Sequence, residues 1–499
     1  MWLNLKKNHL QFGALLLALS SILSRGLGVL RDLVFTSIFG VGAKGGDFAL
    51  DAYFLAFKIP DFLYTLLIFG ALSSAFIPLY VEAKKEDGEK SAHLFASQVL
   101  TGLMGLMLLF SGLAFGLAPF IIKGLAPGFT PELQTLALTL TRIMLLSPIF
   151  MGLSGILQGV ENANKAFLGT ALAPLVYNGS IIFAAYFFGA EHGVYALAYG
   201  VVCGALLHFL IQIPGVLKCG FKFSLTFKPR AARWIEFLRL SLPRIFSSSA
   251  QQLASFVDVM LATLLTLGSL SIYTYAFNLQ SLPYGVVAVA VSTAMYASLA
   301  EQASDKSAFF STLRNSLIQI LYWALPAILG LFLLRTPIIE FFFERGAFDA
   351  QATQKTAEVL AVFVWSALPQ SLIPLFTRGV YALKKTKTPV LCALAGIALT
   401  LSFNLVAVLY YHEGIVALAY GNLLGGSLNA LLLYFLMSQE LKVSFTSFLN
   451  SKKLGFIVLG LLGMGASLVW MESFPIGVSI PLAAAIYLVL SRVGRPITK

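Results

Sequence analysis

The sequence predicts an all-α polytopic membrane fold of fourteen transmembrane helices, with both termini cytoplasmic. Three observations carry this: a composition too apolar for a water-soluble surface, a regular train of apolar runs, and basic residues gathered in alternate loops. Fifty-eight per cent of the 499 residues are hydrophobic and 11% are charged, and the mean hydropathy is +0.85. A helix needs about 20 residues to cross the hydrocarbon, and the runs leave no room between them for a soluble domain. Lys6 and Lys7 precede an apolar stretch as in a signal peptide, but that stretch runs into Arg25 and Arg31 without a small-x-small cleavage site. Cys203, Cys219 and Cys392 are scattered, with no CxxC pair, and read as packing residues rather than as metal ligands or a disulfide framework.

Each span is an apolar run between polar breaks. The first lies near 10–38 and ends at GVGAKGGD; the second, near 48–81, ends at KKEDGEK. The third (92–122) and fourth (133–160) flank APGFTPE. The fifth (166–189) and sixth (193–217) flank EHG, and a basic stretch beginning KCGFKF follows. The seventh (234–266) and eighth (270–300) are joined by a short LGS link, and EQASDK precedes the ninth (307–334). The tenth (355–383) ends at KKTK, and the eleventh (389–411) and twelfth (414–438) flank HEG. ESFP separates the thirteenth (454–471) from the fourteenth (474–491). With the N-terminus inside, 22 of the 34 basic residues fall in inner segments and 5 in outer ones. One wrong span would scramble that asymmetry. The formal charge of +12 therefore reflects topology and contact with anionic membrane lipids, and needs no nucleic-acid partner.

The chain repeats itself at a spacing of about 220 residues. GVYALAYG at 193–200 matches GIVALAYG at 414–421. AYFLAFKIPDFLY from Ala52 aligns with IYTYAFNLQSLPY from Ile272, pairing Tyr53 with Tyr273 and Tyr64 with Tyr284. Gly159, Val160 and Lys165 match Gly379, Val380 and Lys385. Each repeat holds six spans, so the halves share orientation, an arrangement typical of transporters that rock around a central site; a channel or a structural protein is the alternative. The expected organisation is an N-lobe at 1–222, a C-lobe at 223–443 and a C-terminal helix pair at 444–499.

Seven basic residues lie inside spans: Arg25, Arg31, Lys58, Arg142, Arg239, Arg244 and Arg378. A charge in mid-bilayer costs at least about 2.5–3.5 kcal/mol, so these face a wet cavity or a partner. Snorkelling near a helix end fits Arg239 and Lys58. On a helix Arg25 and Asp32 are nearly eclipsed and Arg31 points about 100° away, which makes a broad charged wall. Gly26 and Gly28 allow close helix approach or a local break. The second span adds Asp51, Lys58 and Asp61 around Pro60, and the seventh adds Arg244 after Pro243, with Asp258 near its end. Seven cations against Asp32, Asp51, Asp61 and Asp258 leave an excess of three. That surplus predicts an anionic substrate, and arginine's planar fork suits phosphate or carboxylate. Structural salt bridging is the alternative, and coupling to protons or sodium through the aspartates is a further one. No P-loop, zinc motif or nucleophile constellation appears, and His412-Glu413 lacks the HExxH spacing, so an enzyme is not expected.

SRGLGVLRDLVFTSIFG, followed by DAYFLAFKIPDFLYTLLIFGALSSAFIPLY, resembles the opening of the MurJ (MviN) lipid II flippases. APGFTPE, TR at 141–142, APLVYN at 173–178, FERGAFDA at 343–350, TRGVYALKKTKTPV at 377–390 and SLNALLLY at 427–434 extend the resemblance over nearly the whole chain. The resemblance implies the MOP exporter fold, a place in the bacterial inner membrane, and alternating-access transfer of undecaprenyl-pyrophosphate-linked glycan, lipid II, from the inner to the outer leaflet. Arg25, Arg31 and Asp32 match the family's first-helix cavity motif, and Asp51 matches the aspartate that opens the second. The expected pyrophosphate ligands are Arg25, Arg31 and Arg244, with Lys58 and Arg378 as further cavity cations. Asp32, Asp51 and Asp61 are the expected gate or charge partners, and the last two helices the expected groove for the polyprenyl tail.

Two departures stand out. The family commonly has arginine where this chain has Tyr64 or Thr65, with an acid at Phe69, and a cavity arginine where this chain has Asn278. Compensation by Lys58, Arg244 or Arg378 is one reading; a different lipid-linked saccharide, of O-antigen or capsule type, is another. A cation-coupled multidrug exporter of the same fold would favour an acidic cavity, and a non-transporting scaffold would leave the buried charges without purpose. The resemblance also raises a sodium site, for which Asp258 and Asn404 are candidates, a dependence on membrane potential, and cell-wall synthesis proteins as partners.

Overall fold

The computed structural model describes residues 2–41, 48–66, 75–226, 232–385, 387–448, 452–471 and 474–491, without the side chains of 2–11, 14, 242–250, 286, 445 and 452. Phe69, the side chain of Arg244 and the C-terminal basic residues Arg492, Arg495 and Lys499 lie outside that description. The described residues are helical, with no strand among them. Nineteen α-helices follow in order: α1 (Trp2–Phe39), α2 (Ala49–Tyr64), α3 (Ile77–Asp87), α4 (Glu89–Leu125), α5 (Pro131–Met144), α6 (Ser147–Ala163), α7 (Leu168–His192), α8 (Tyr195–Leu210), α9 (Ile213–Lys218), α10 (Ala232–Leu264), α11 (Ser269–Pro283), α12 (Val289–Glu301), α13 (Lys306–Leu333), α14 (Arg335–Phe343), α15 (Ala350–Ala382), α16 (Lys387–Leu409), α17 (Val416–Leu441), α18 (Lys452–Trp470) and α19 (Ile476–Leu490).

Nine helical segments among the described residues are long and apolar enough to cross a membrane. The expected spans outside that set are the first, second, seventh and eighth, together with the shorter α19. The first and seventh, and the second and eighth, are repeat equivalents. Residues outside the description interrupt the first, second and seventh of these, and α11 is separated from α12 by a π-helical turn at Tyr284–Ala288. The second span shows π-helical residues at 65–66 as well, 220 positions before that turn. π-Helical residues thus occur at corresponding positions in both halves, and π-helical turns gather at functional sites.

Some expected single spans are broken. The fourth splits into α5 and α6 with Pro148 in the first turn of α6, and the sixth into α8 and α9 with Pro214 in the first turn of α9. Proline has no N–H to donate to the preceding turn, so it opens a helix more readily than it continues one. The short α14 lies in a segment read as a loop. The turn after the matched helices α6 and α15 differs by one residue between the repeats: the left-handed residues are Lys165 and Lys384, both at φ 61°. Lys165 N donates to Asn162 O and Lys384 N to Tyr381 O, so the second turn closes one residue early.

The chain forms two compact units, Met1–Leu270 with Arg345–Asp349, and Ser271–Glu344 with Ala350–Lys499. In the first, α10 is secured at its start. Arg233 pairs with Asp87 at 2.6 Å and Glu86 at 3.2 Å, and Trp234, 4% exposed, stacks on Phe237. The Trp234 indole occupies the space that a Cβ on Gly102 would need, approaching it to 2.5 Å. A tight seat forms where 345–349 meets the end of α1: Ala347 N donates to Ser37 O at 3.3 Å. Gly346 has φ +59° and a Cβ there would lie 2.0 Å from Ser37 O.

In the second unit, α18 and α19 dock on α13. The Tyr487 hydroxyl donates to Tyr322 O at 2.5 Å, and Ser491 Oγ to the Tyr322 hydroxyl at 3.3 Å. Tyr322 is fully buried and Tyr487 is 2% exposed. Tyr487→Phe leaves that carbonyl without its donor, for an expected loss of about 1 kcal/mol. Thermal melting of the detergent-solubilised protein checks this, and an unchanged melting point would show that the pair does not hold the helices.

Candidate functional site

Arg25 lies on α1 half-buried, seven residues before the buried Asp32. The helix runs unbroken past Gly26 and Gly28, and a Cβ on either would meet nothing within 4 Å. The expectation of close approach or a break there is therefore wrong: the two glycines leave the surface beside Arg25 unfilled. Arg31 donates from Nε at 3.1 Å and from Nη2 at 2.8 Å to Asp32 Oδ1. The angular argument that set these neighbours apart ignored the length of an arginine side chain, which reaches round the helix to the acid. Arg31 also lies over the Phe35 ring, 5.7 Å from its centroid, and Phe35 meets Tyr53 edge-on at 5.6 Å. Tyr53 of α2 and Tyr177 of α7 are within electrostatic reach of the guanidinium. Ser24 accepts from Asn178 Nδ2 at 3.3 Å, fixing α1 against α7. Arg31 is thus held by its acid and an aromatic wall while keeping 24% of its side chain exposed, a preorganised donor set for an anion.

On α2, Asp51 is 2% exposed and accepts from Gly268 N at 2.8 Å. It ties the start of α2 to the turn that follows α10. Asp51→Ala leaves a buried N–H without that acceptor, and the expected loss is about 1–3 kcal/mol, readable as a lower melting temperature. A variant as stable as the parent would show that the bond is not structural.

Lys58, one helical turn before Asp61, donates to Ser255 Oγ of α10 at a long 3.4 Å. Among the described residues it makes no ion pair within 4 Å, although Asp61 and Asp258 are within electrostatic reach. Asp61 is hydrogen-bonded to Gln252 of α10. Phe62 packs on Phe256 at 5.2 Å, holding the two helices face to face. Lys58 lies six residues before Tyr64 on the same helix and keeps donors beyond its bond to Ser255. Gln252, Ser255, Tyr53 and Tyr177 were not singled out from sequence for the site. Tyr53 did carry a signal, its match to Tyr273 in the repeat.

The remaining expected residues are distributed over both units. Arg239 is exposed near the start of α10. Arg378 belongs to the second unit, where its Nη1 donates to Val289 O at 3.1 Å, bracing the start of α12. Asn278 is half-buried on α11 in that unit. Asp258 is buried on α10 in the first unit, while Asn404 is buried on α16 in the second. Asn404 Oδ1 would lie 1.9 Å from a Cβ on Gly421. Among the described residues no group of three or more His, Cys, Asp or Glu is placed to hold a metal ion. Of the three cysteines only Cys392 is buried, and Cys203 is exposed, which corrects its reading as a packing residue.

Between α13, α15 and α18 of the second unit runs a groove of about 510 Å³, lined by Leu325, Leu329, Trp365, Val458, Leu462 and Val469 among others. Its lining is entirely aliphatic or aromatic apart from one glycine and one alanine, so it suits a hydrocarbon chain.

Residues 35–486 match the family model described as Lipid II flippase MurJ. The lipid II flippase MurJ of Burkholderia cenocepacia is 32% identical over 426 residues, covering 83% of this chain and 81% of that protein. That of Thermosipho africanus is 30% identical over 428 residues, 85% of each. A solved structure of lipid II flippase MurJ in an inward closed conformation matches with a TM-score of 0.80 and 29% identity, covering 96% of this chain and 98% of that one. An inward-facing multidrug resistance MATE transporter of the MOP superfamily matches at TM-score 0.69 and 15% identity, over 84% of this chain and 94% of its own; it shows the fold alone.

Proposed function

This chain belongs to the lipid II flippase MurJ family, a family of multi-pass inner-membrane transporters, and we propose that it moves lipid II from the inner to the outer leaflet by alternating access. The observation that carries the reading is the Arg31–Asp32 pair, an anion-binding group held ready inside a span. Arg25, Arg31 and Arg244 receive the pyrophosphate, Lys58 stands in for the arginine missing at Tyr64, and Asp32, Asp51 and Asp61 orient these cations or close the outer gate. The apolar groove beside α18 receives the polyprenyl tail. Fourteen spans with both ends cytoplasmic, in lobes at 1–222 and 223–443 with a terminal pair at 444–499, are the topology this reading uses. The basic asymmetry of the loops supports it. Cell-wall synthesis proteins are the expected partners, and sodium, through Asp258 or Asn404, a candidate coupling ion.

A potential negative inside favours outward movement of an anionic headgroup by about 2.3 kcal/mol per charge per 100 mV. Collapsing the potential is therefore expected to slow transport; full-rate transport in depolarised vesicles would remove it as a driving force.

A second reading rests on Tyr64 and Asn278: a cavity with fewer arginines suits another polyprenyl-pyrophosphate glycan. Outer-leaflet exposure of lipid II in cells depleted of their own flippase and expressing this chain separates the two. Restored exposure establishes the cargo. No restoration by a well-expressed chain transfers the assignment to another glycan.

A further inference from the structure

One embedded cation plays no part in the site above. Arg142, from the Thr-Arg pair at 141–142, sits on α5 in a stripe at helical spacing with Thr135, Thr139 and Leu146, of which Thr135 and Leu146 are exposed. Its Nε is buried without a hydrogen-bond partner. Among the described residues its recorded contact is the face of Phe115 on α4, with the guanidinium carbon 4.9 Å from the ring centroid. The neighbouring hydroxyls are committed to their own helix, Thr139 to Thr135 O and Thr135 to Pro131 O. Phe115 is 49% exposed, between Leu113 at 50% and Leu117 at 52%. Large apolar side chains this exposed on a spanning helix form a lipid-facing surface.

Depth follows from helix rise. Arg142 is eleven residues from Pro131, and Phe115 is ten from Leu125, so both lie about 15–17 Å below the helix ends. In the topology proposed above those ends are on the outer side. A guanidinium at that depth with no acceptor among the described residues is expensive unless water or a lipid headgroup reaches it. With Nε buried, the two terminal nitrogens offer four N–H donors in one plane, an edge that suits a phosphate.

We infer that Arg142 and Phe115 form a binding site for the phosphate of an anionic phospholipid drawn inward from the outer leaflet. The guanidinium takes the phosphate, and the half-exposed ring holds the guanidinium at the protein's lipid-facing edge. The inference rests on the proposed membrane orientation but not on the cargo.

The test uses the full chain carrying Phe115→Trp, which keeps an aromatic face and adds a reporter. It is reconstituted in phosphatidylcholine vesicles with increasing brominated phosphatidylglycerol, and quenching is read as the difference from the parent. The expected relative affinity for phosphatidylglycerol is about fivefold, the contribution of one basic side chain at an anionic lipid surface. Arg142→Met in that background brings the ratio to one, and Arg142→Lys keeps most of it. A ratio of one before Arg142 is changed, or a preference that survives Arg142→Met, overturns the site. Loss of the preference on adding stoichiometric undecaprenyl pyrophosphate overturns the phospholipid assignment. Matched circular dichroism excludes misfolding of the Met variant, and the Lys variant decides the matter if that one fails to fold. Lipid II exposure is measured separately, so the cargo reading and this site can fail independently.

Discussion

Arg31→Ala is expected to lower lipid II flipping by about ten- to a hundredfold at matched membrane levels, the equivalent of the roughly 1.5–3 kcal/mol carried by a hydrogen bond to a charged group. Two losses combine. On the proposed reading the pyrophosphate loses a planar, preorganised donor set, and the buried Asp32 loses the guanidinium that meets its Oδ1 at 2.8 Å. Arg31→Lys retains the charge but not the fork, so an intermediate loss is expected, because a point charge cannot bind two oxygens side by side. The measurement is outer-leaflet exposure of lipid II, with a melting curve for each variant to separate transport from folding. Parent-level flipping by a well-folded Arg31→Ala protein would place the headgroup elsewhere.

Gly346→Ala is expected to destabilise the first unit by about 2–4 kcal/mol, combining left-handed strain with overpacking. The residue sits at φ +59°, and its new Cβ would lie 2.0 Å from Ser37 O, a backbone atom that cannot swing aside. A melting temperature lower by at least about 5 °C is the expected readout. Gly220→Ala is the comparison: φ is +77° there, but the nearest atom to a Cβ is 3.9 Å away. It carries the backbone strain alone, and the difference between the two variants isolates the close approach. Equal melting temperatures would mean that the seat on Ser37 yields.

Most of the architecture was legible because the bilayer imposes a length on every span. Many of the helices observed, such as α4, α13 and α16, begin and end within a few residues of the apolar runs, whereas α1 starts eight residues early and the second run ends as the separate α3, and π-helical residues occur at 65–66 and at Tyr284–Ala288. Interruptions were less legible: hydropathy averages over a window, whereas Pro148 and Pro214 act through one missing N–H each. In the site, the charged residues stood out since charge inside a span is rare. Their pairing did not, because Arg31 reaches Asp32 through side-chain length rather than helical angle. Lys58 was read as snorkelling or as a cavity cation, and it is found bonded at long range to Ser255. That partner lies 197 residues away, a separation no local pattern encodes. Arg378 was read as a cavity cation, and its bond from Nη1 to the Val289 carbonyl was likewise invisible to local pattern.

The seat of 345–349 on the end of α1 has a consequence for synthesis. The first unit is complete in sequence at Leu270 except for this one short segment, whose Arg345–Asp349 lies about 75 residues further on. At roughly 5–20 residues per second, the ribosome needs about 4–15 s to supply it. For that interval the last turn of α1, with Ser37 O and Gly40, is inserted but uncovered. Nascent chains halted before residue 345 are therefore expected to hold α1 less firmly than chains halted beyond residue 349, once the segment has cleared the exit tunnel.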